Sequence, residues 1–175
     1  AYRWVILCFV AVGFWNLVGA GLLGFAINPP ASLYYVQGLN LTPAHGHAAL
    51  FGVYGMLGIG LMLFCLRGLF PRAAHADRYL APAFWGLNAG LAMMVFMSLV
   101  PAGIYQAYAS ITEGLWYARS AEVIHSPVME TLVWLRVPGD IVFAIGGVFL
   151  GIYALGLLRK PGREAAQPAG EVQPT

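Results

Sequence analysis

The stretch that decides the fold is Pro43-Ala44-His45-Gly46-His47-Ala48-Ala49-Leu50-Phe51-Gly52, which opens an apolar run that continues to about residue 70. Such a run is long enough to cross the ~30 Å hydrocarbon core of a bilayer as a helix. Two histidines therefore lie at one end of a membrane-length helix. Because an ionisable side chain in hydrocarbon is costly and usually faces a cavity, a partner or a ligand, His45 and His47 are candidate functional residues.

The composition of the whole chain agrees with a membrane protein. Of 175 residues, 60% are hydrophobic and 9% are charged, and the mean hydropathy is +0.74. We predict an all-α membrane protein whose four transmembrane helices cover about residues 4–27, 44–66, 80–105 and 131–158. Residues 1–160 would form this transmembrane segment, and residues 161–175, rich in Ala, Pro, Gln and Glu, a disordered cytoplasmic tail. The net charge of +2 does not indicate nucleic acid binding.

The positions of the basic residues predict the orientation. If the four helices alternate in direction, only Arg119 and Arg136 of the 9 basic residues fall towards one face of the bilayer. The face with more Lys and Arg is normally cytoplasmic. We therefore expect both ends of the segment to be cytoplasmic, His45 and His47 to lie near the periplasmic side, and the protein to cross a bacterial inner membrane several times.

The spacing of the two histidines points their side chains in different directions around the helix. At ~100° per residue, positions 45 and 47 lie about 200° apart around a helix, so the two rings cannot easily share one metal ion. The spacing suits a helix between two cofactors that each take one axial imidazole, for which haem is the natural candidate. The glycines of the same helix, such as Gly46, Gly52 and Gly58, allow close approach of a porphyrin, of a neighbouring helix, or of both.

Charged and polar residues elsewhere suggest further contacts. Arg136 and Asp140 lie four residues apart in the last span and so on one face. They either pair with each other or meet a haem propionate and a proton-bearing ligand, and Glu130 lies in the same outer layer.

Arg119, in an outer loop that we expect to cover the bundle, either is solvated or holds a haem carboxylate. Asn16, in the first span, is expected to form an interhelical hydrogen bond.

Two segments resemble a known family. Residues 42–55 (TPAHGHAALFGVYG) resemble the double-histidine helix of the nitric oxide reductase branch of the haem-copper oxidase superfamily. Residues 135–140 (LRVPGD), after residues 116–120 (WYARS), resemble the last helix of that family and the loop before it. The resemblance covers most of the chain, as the final four helices of the catalytic subunit. Oxidases of the superfamily usually have a bulkier residue than Gly46 between the histidines, which favours the reductase branch.

The resemblance implies a function and a set of site residues. His45 would be the catalytic proximal ligand of a high-spin haem b3, and His47 an axial ligand of a low-spin haem b. The implied reaction, a step of denitrification, is reduction of two nitric oxide molecules to N2O and water at haem b3 and a neighbouring non-haem iron. Quinol-fed members take an acidic residue from the last helix into the quinol pocket, which here is Glu130 or Asp140. Quinol is the preferred electron donor, and cytochrome c the alternative.

The chain lacks part of the predicted site. The non-haem iron needs several histidines and a glutamate, and the low-spin haem needs a second histidine, but His75 and His125 lie in unsuitable places. We therefore expect the remaining N-terminal helices of the same enzyme, or a companion chain, to supply these ligands; a homodimer is also open. Competing interpretations are a haem-copper terminal oxidase, an electron-carrying membrane cytochrome b, and a haem-free transporter or structural bundle.

Overall fold

The computed structural model describes residues 2–69 and 77–158, and within these ranges all regular structure is helical. Four helices are long and apolar enough to cross a membrane, which confirms the predicted fold class. We number them first to fourth: Arg3–Ile27, Leu41–Leu69, Asp77–Glu113 and Pro127–Leu157. A short helix, Pro30–Val36, lies between the first and second. The predicted tail and His75 lie outside the described residues.

The long helices extend beyond the apolar runs from which they were predicted. The third continues to Glu113 rather than ending near residue 105, because its last two turns bury Gln106, Ala109 and Ser110 against the outer loops. The fourth begins at Pro127, where the Ser126 side chain accepts a hydrogen bond from the Met129 backbone N–H. Hydropathy marks the hydrocarbon-spanning part of a helix, whereas capping and local packing decide where the helix itself begins and ends.

Glycine contacts hold the third and fourth helices together. A Cβ atom built on Gly146 would lie 2.6 Å from the backbone nitrogen of Leu87, and one built on Gly90 would lie 2.5 Å from that of Phe143. Since real Cβ atoms do not approach backbone so closely, only glycine permits this spacing. Small residues of this kind are typical of helix contacts in lipid, where packing rather than water exclusion drives association.

The first and second helices also approach through glycines. A Cβ on Gly52 would meet the Trp15 ring at 2.4 Å, and one on Gly60 would meet Cys8 at 3.1 Å. Helix packing thus accounts for these two glycines of the second helix. In contrast, a Cβ on Gly46 or Gly58 would meet nothing within 4 Å in the described part of the chain.

A polar contact connects the first helix to the third. The indole N–H of Trp15 donates to the Asn88 side-chain oxygen at 3.0 Å, and the Asn88 amide donates to the Phe84 carbonyl at 2.9 Å. This bond comes from Trp15, whereas Asn16 was the residue predicted to form an interhelical hydrogen bond. Its side chain is exposed and has no hydrogen bond within the described residues, because Trp15, one position earlier, faces the third helix.

Much of the apolar surface remains uncovered. Only 17% of the most apolar 18-residue window of the fourth helix is buried, and 28% of the corresponding windows of the first and second. Large side chains such as Phe25, Leu50 and Trp134 are exposed. In a membrane protein this surface faces lipid or further helices.

The glycine contacts between the third and fourth helices give a direct test. Replacing Gly146 with Ala forces a methyl group against the backbone of Leu87, and we expect a stability loss of about 1–3 kcal/mol. The adjacent Gly147, where a Cβ would meet nothing within 4 Å, is a matched control. Gly147→Ala should leave stability unchanged or slightly higher. Thermal unfolding in detergent measures both, and equal effects of the two substitutions would contradict the packing described here.

Candidate functional site

His45 lies against the first helix, near the N-terminal end of the second. Its Nδ1 is 2.9 Å from the Gly19 carbonyl oxygen, and its ring packs over Gly24, where an added Cβ would lie 3.0 Å from Cε1. A carbonyl only accepts hydrogen bonds, so Nδ1 carries the proton and Nε2 keeps a lone pair. Within the described residues no hydrogen bond reaches His45 Nε2, which leaves this atom available as a ligand.

His47 faces the fourth helix instead. Its Nδ1 is 2.8 Å from the carbonyl oxygen of Pro43, one turn earlier, so this ring also carries its proton on Nδ1. Its Nε2 accepts a hydrogen bond from the Arg136 guanidinium at 3.2 Å. The two rings therefore have the same tautomer and different neighbours.

Arg136 connects His47 to Asp140. The Arg136 Nε donates to the Asp140 carboxylate at 3.2 Å, with the two side chains 38% and 46% exposed. The structure shows the first of the two alternatives for this pair, in which the two side chains bond to each other, and the contact with a haem propionate and a proton-bearing ligand stays a prediction. Arg136 also reaches His47, a candidate haem ligand. A half-exposed pair one turn apart contributes little to stability, typically below ~1 kcal/mol. Its effect here is to place a cation and a carboxylate beside the His47 ring.

The donor set fits haem iron. An imidazole whose Nδ1–H is held by a carbonyl and whose Nε2 is a lone-pair donor is the usual form of an axial histidine ligand. His45 meets this condition directly, and His47 meets it once Arg136 moves from Nε2. Among the described residues no three His, Cys, Asp or Glu side chains are grouped to hold a metal ion.

Arg119 and Glu130 lie apart from the histidines. Arg119 is exposed, donates to the Gln37 carbonyl, and has its guanidinium carbon 5.9 Å from the centre of the Trp116 ring. Glu130 is exposed in a shallow cavity of about 460 Å³ that Trp134 also lines. The described contacts join neither residue to His45 or His47, so the structure brings together only His47, Arg136 and Asp140.

Sequence reasoning missed a polar clamp that positions the start of the second helix. The Gln106 side-chain oxygen accepts from the Asn40 backbone N–H at 3.0 Å and from the Asn40 side chain at 2.9 Å. The Gln106 amide donates in turn to the Ala118 carbonyl at 3.3 Å. Gln106 is 6% exposed. The sequence offered one signal for this clamp, because Gln106 is a lone amide side chain at the end of an apolar run. A buried amide requires hydrogen-bond partners.

The outer loop after the third helix folds into short helical turns, Tyr117–Arg119 and Ala121–Ile124. The Tyr117 hydroxyl donates to the Glu122 carboxylate at 3.1 Å. This hydrogen bond and the negative charge of Glu122 raise the pKa of Tyr117, so the hydroxyl stays protonated well above neutral pH. The loop thus covers the outer end of the bundle, over the clamp formed by Gln106.

Fold and site together define a multi-pass membrane protein with two preset imidazole donors at one end of its bundle. The chain belongs to the family described as cytochrome c and quinol oxidase polypeptide I, whose model matches residues 1–142. It is also similar to a nitric oxide reductase subunit from Stutzerimonas stutzeri, with 30% identity over 140 residues. That match covers 74% of this chain and 28% of the relative, so the chain spans little more than a quarter of that protein's length.

These comparisons confirm the family predicted from the double-histidine stretch. Membership of the haem-copper oxidase superfamily implies an oxidoreductase with haem cofactors, and the reductase relative supports the nitric oxide reductase branch.

The clamp at the start of the second helix is testable. Gln106→Leu leaves the Asn40 donors without an acceptor, and we expect a loss of about 1–3 kcal/mol in local stability. Amide hydrogen exchange around residues 40–47 should accelerate accordingly. Thr112→Val, which removes an exposed hydroxyl on the same helix, is the control and should leave this exchange unchanged. Unaltered exchange in Gln106→Leu would mean that the clamp does not hold the helix start.

Proposed function

We propose that this chain forms part of the catalytic subunit of a membrane nitric oxide reductase that reduces two NO to N2O and water. The observation that carries the proposal is the pair of imidazoles on one helix, each with Nδ1 held by a carbonyl, that face different neighbouring helices. The similarity to a nitric oxide reductase subunit supports the choice of reaction. The four membrane-length helices support a reaction that takes place within a bilayer.

In this proposal His45 ligates a high-spin haem b3 and His47 ligates a low-spin haem b. The haems and a non-haem iron, held by residues outside this chain, supply electron transfer and reduction of NO. The Gly19 carbonyl fixes the tautomer of His45 and orients its ring, and its hydrogen bond makes Nε2 a stronger donor. The Pro43 carbonyl does the same for His47. Just over half a turn of one helix then connects the two ligands.

Arg136 has two positions in this proposal. It donates to His47 Nε2 in the described structure, and it must leave that atom when the histidine ligates iron. Its guanidinium is then free to bind a haem carboxylate nearby, as planar guanidinium groups readily do. Arg119, the other residue predicted for that role, contacts Gln37 and Trp116 instead, so the contacts favour Arg136.

We further propose quinol as the electron donor, with Asp140 as the residue that receives a quinol proton. Asp140 pairs with Arg136, whose guanidinium lies beside His47, so this carboxylate is next to the proposed haem ligand. Glu130 is the alternative, in its separate cavity. A cytochrome c donor is a further alternative, and it would leave both carboxylates without this role.

The proposal also includes the partners of this chain and its orientation in the membrane. The remaining N-terminal helices of the enzyme, or a companion chain, supply the other metal ligands and cover part of the exposed apolar surface; a homodimer would cover more. Arg3 and Arg67 lie at the ends of the first and second helices opposite His45, and Arg67 pairs with Asp77 at 2.6 Å. By the positive-inside bias this end is cytoplasmic, in a bacterial inner membrane, and the histidines are periplasmic.

The optical spectrum of the complete enzyme tests the ligand roles. In the reduced and CO-bound states, His45→Ala should remove the CO-binding haem, and His47→Ala should remove the low-spin signal, because each loses one axial ligand. His125→Ala, at an exposed position beyond a short helix, is the matched control and should leave both signals intact. If neither substitution in the pair changes haem content, both histidines are structural and the reductase proposal fails.

The same preparation distinguishes the enzyme classes. A nitric oxide reductase should consume NO faster than O2 and contain iron without copper. A terminal oxidase would consume O2 faster and would contain copper in addition to its haem iron. Two six-coordinate haems that do not bind CO would instead indicate an electron-carrying cytochrome b. A preparation without haem would indicate a transporter or a structural bundle.

Steady-state kinetics test the quinol assignment. Asp140→Asn keeps the size of the side chain but removes the proton-accepting carboxylate, and we expect quinol-driven NO reduction to fall by about tenfold or more. NO reduction driven by an artificial one-electron donor should be largely retained. Glu130→Gln serves as the comparison and should change the quinol-driven rate little. A large loss of the quinol-driven rate in Glu130→Gln, with little change in Asp140→Asn, would assign the role to Glu130. Full quinol-driven rates in both variants would argue against quinol at this site.

A further inference from the structure

A tight turn of residues 37–40 joins the short helix Pro30–Val36 to the start of the second helix. Gly38 has a φ of +68° in this turn, a conformation that side chains other than that of glycine rarely adopt. The next residue, Leu39, is 2% exposed and packs in a cluster with Ala118 and Val123 of the outer loop. The turn is therefore held beneath the outer loop in one conformation.

Arg119 connects the outer loop to this turn directly. Its guanidinium donates to the backbone carbonyl of Gln37. It also lies close to Gly38, where an added Cβ would be 2.7 Å from a guanidinium nitrogen. The guanidinium carbon is 5.9 Å from the centre of the Trp116 ring, within the range of a cation–π contact. Arg119 is thus held by two partners, and Gly38 leaves the space that it occupies.

The third helix contacts the same part of the chain. A Cβ built on Gly103 would lie 2.5 Å from the backbone nitrogen of Leu41, the first residue of the second helix. Gln106, one turn later, accepts two hydrogen bonds from Asn40. Together with the Arg119 bond, these contacts fix the first turn of the second helix from both the third helix and the outer loop.

The two histidines depend on this first turn to different extents. The His47 ring is oriented by the Pro43 carbonyl at 2.8 Å, and Pro43 lies within the first turn. The His45 ring is oriented by the Gly19 carbonyl of the first helix at 2.9 Å. At the same place a Cβ on Gly19 would lie 2.6 Å from that of Ala48, so the first helix fixes this side of the second. A displaced first turn would therefore move the partner of His47 and leave that of His45 in place.

We propose that Arg119 is a positioning residue for His47, which it influences through the turn of residues 37–40 and the Pro43 carbonyl. The inference rests on the proposed function, in which His47 ligates the low-spin haem and His45 the high-spin haem. It gives Arg119 a role different from the predicted contact with a haem carboxylate. It also gives the outer loop a function, because the loop then sets the orientation of one haem ligand and not of the other.

The experiment measures haem loss from the complete enzyme to apomyoglobin, followed separately at the low-spin and high-spin bands. Changing a hydrogen-bond partner of a ligating histidine typically lowers metal affinity by about 10–100-fold. Because Arg119 acts on such a partner from further away, Arg119→Ala should accelerate haem loss at the low-spin band by about threefold to tenfold. The high-spin band should be unchanged. The EPR g values of the low-spin haem should shift as well, since they depend on the orientation of the axial imidazole.

Three further variants test the route from Arg119 to His47. Arg119→Lys keeps a cationic donor for the Gln37 carbonyl and should restore most of the low-spin signal. Gly38→Ala places a methyl group against the guanidinium and strains the turn, so it should reproduce the effect of Arg119→Ala. Gln37→Ala is the matched control. It removes an exposed side chain but keeps the backbone carbonyl that accepts the bond, and it should behave as the wild type.

His47→Ala and His45→Ala, measured in parallel, assign the two bands. If His47→Ala loses the low-spin signal while Arg119→Ala changes neither haem loss nor g values, the positioning role fails and the reductase proposal stands. If His47→Ala leaves the spectrum unchanged, both fail. Equal acceleration at both bands in Arg119→Ala would show a general loosening of the bundle and overturn the inference. Selective loss at the high-spin band would do the same and would indicate a direct contact of Arg119 with that haem.

Discussion

The structure depends on the requirement that backbone polar groups in hydrocarbon be satisfied within the protein. Four long helices meet this requirement internally, and so the chain is helical wherever it crosses the membrane. Once the backbone is satisfied, helices associate only as closely as their side chains permit. Glycines at Gly86, Gly90 and Gly146 remove that limit between the third and fourth helices, and Gly52 and Gly60 remove it between the first and second. Close backbones in turn bring carbonyl oxygens within reach of side chains on neighbouring helices.

The two histidines bond to backbone carbonyls in different parts of the chain. Gly19, which orients His45, lies in a wide π-helical segment of the first helix, Asn16–Leu23. Segments of this kind redirect backbone groups and are frequent at functional sites. Pro43, whose carbonyl orients His47, lies one turn earlier on the same helix. One ring therefore depends on a helix contact, whereas the other depends only on local structure.

Polar contacts between distant parts of the chain concentrate at the outer half of the bundle. Gln106 fixes the start of the second helix through Asn40, and Arg136 joins the second helix to the fourth through His47. At the other end, the contacts are mainly apolar, among residues such as Trp4, Leu63 and Leu157.

The sequence by itself determined the number of membrane helices, the family, and the two imidazoles on one helix, because hydropathy and helical spacing are local properties. The pairing of Arg136 with Asp140 was also open to prediction, since residues four apart share a helix face. Only the tertiary structure decided that His45 meets Gly19, that Arg136 reaches His47, that Trp15 rather than Asn16 contacts the third helix, and that Gln106 clamps Asn40. Periodicity shows which residues share a face of a helix. It does not show what that face meets, because the neighbour is chosen by the packing of the whole bundle.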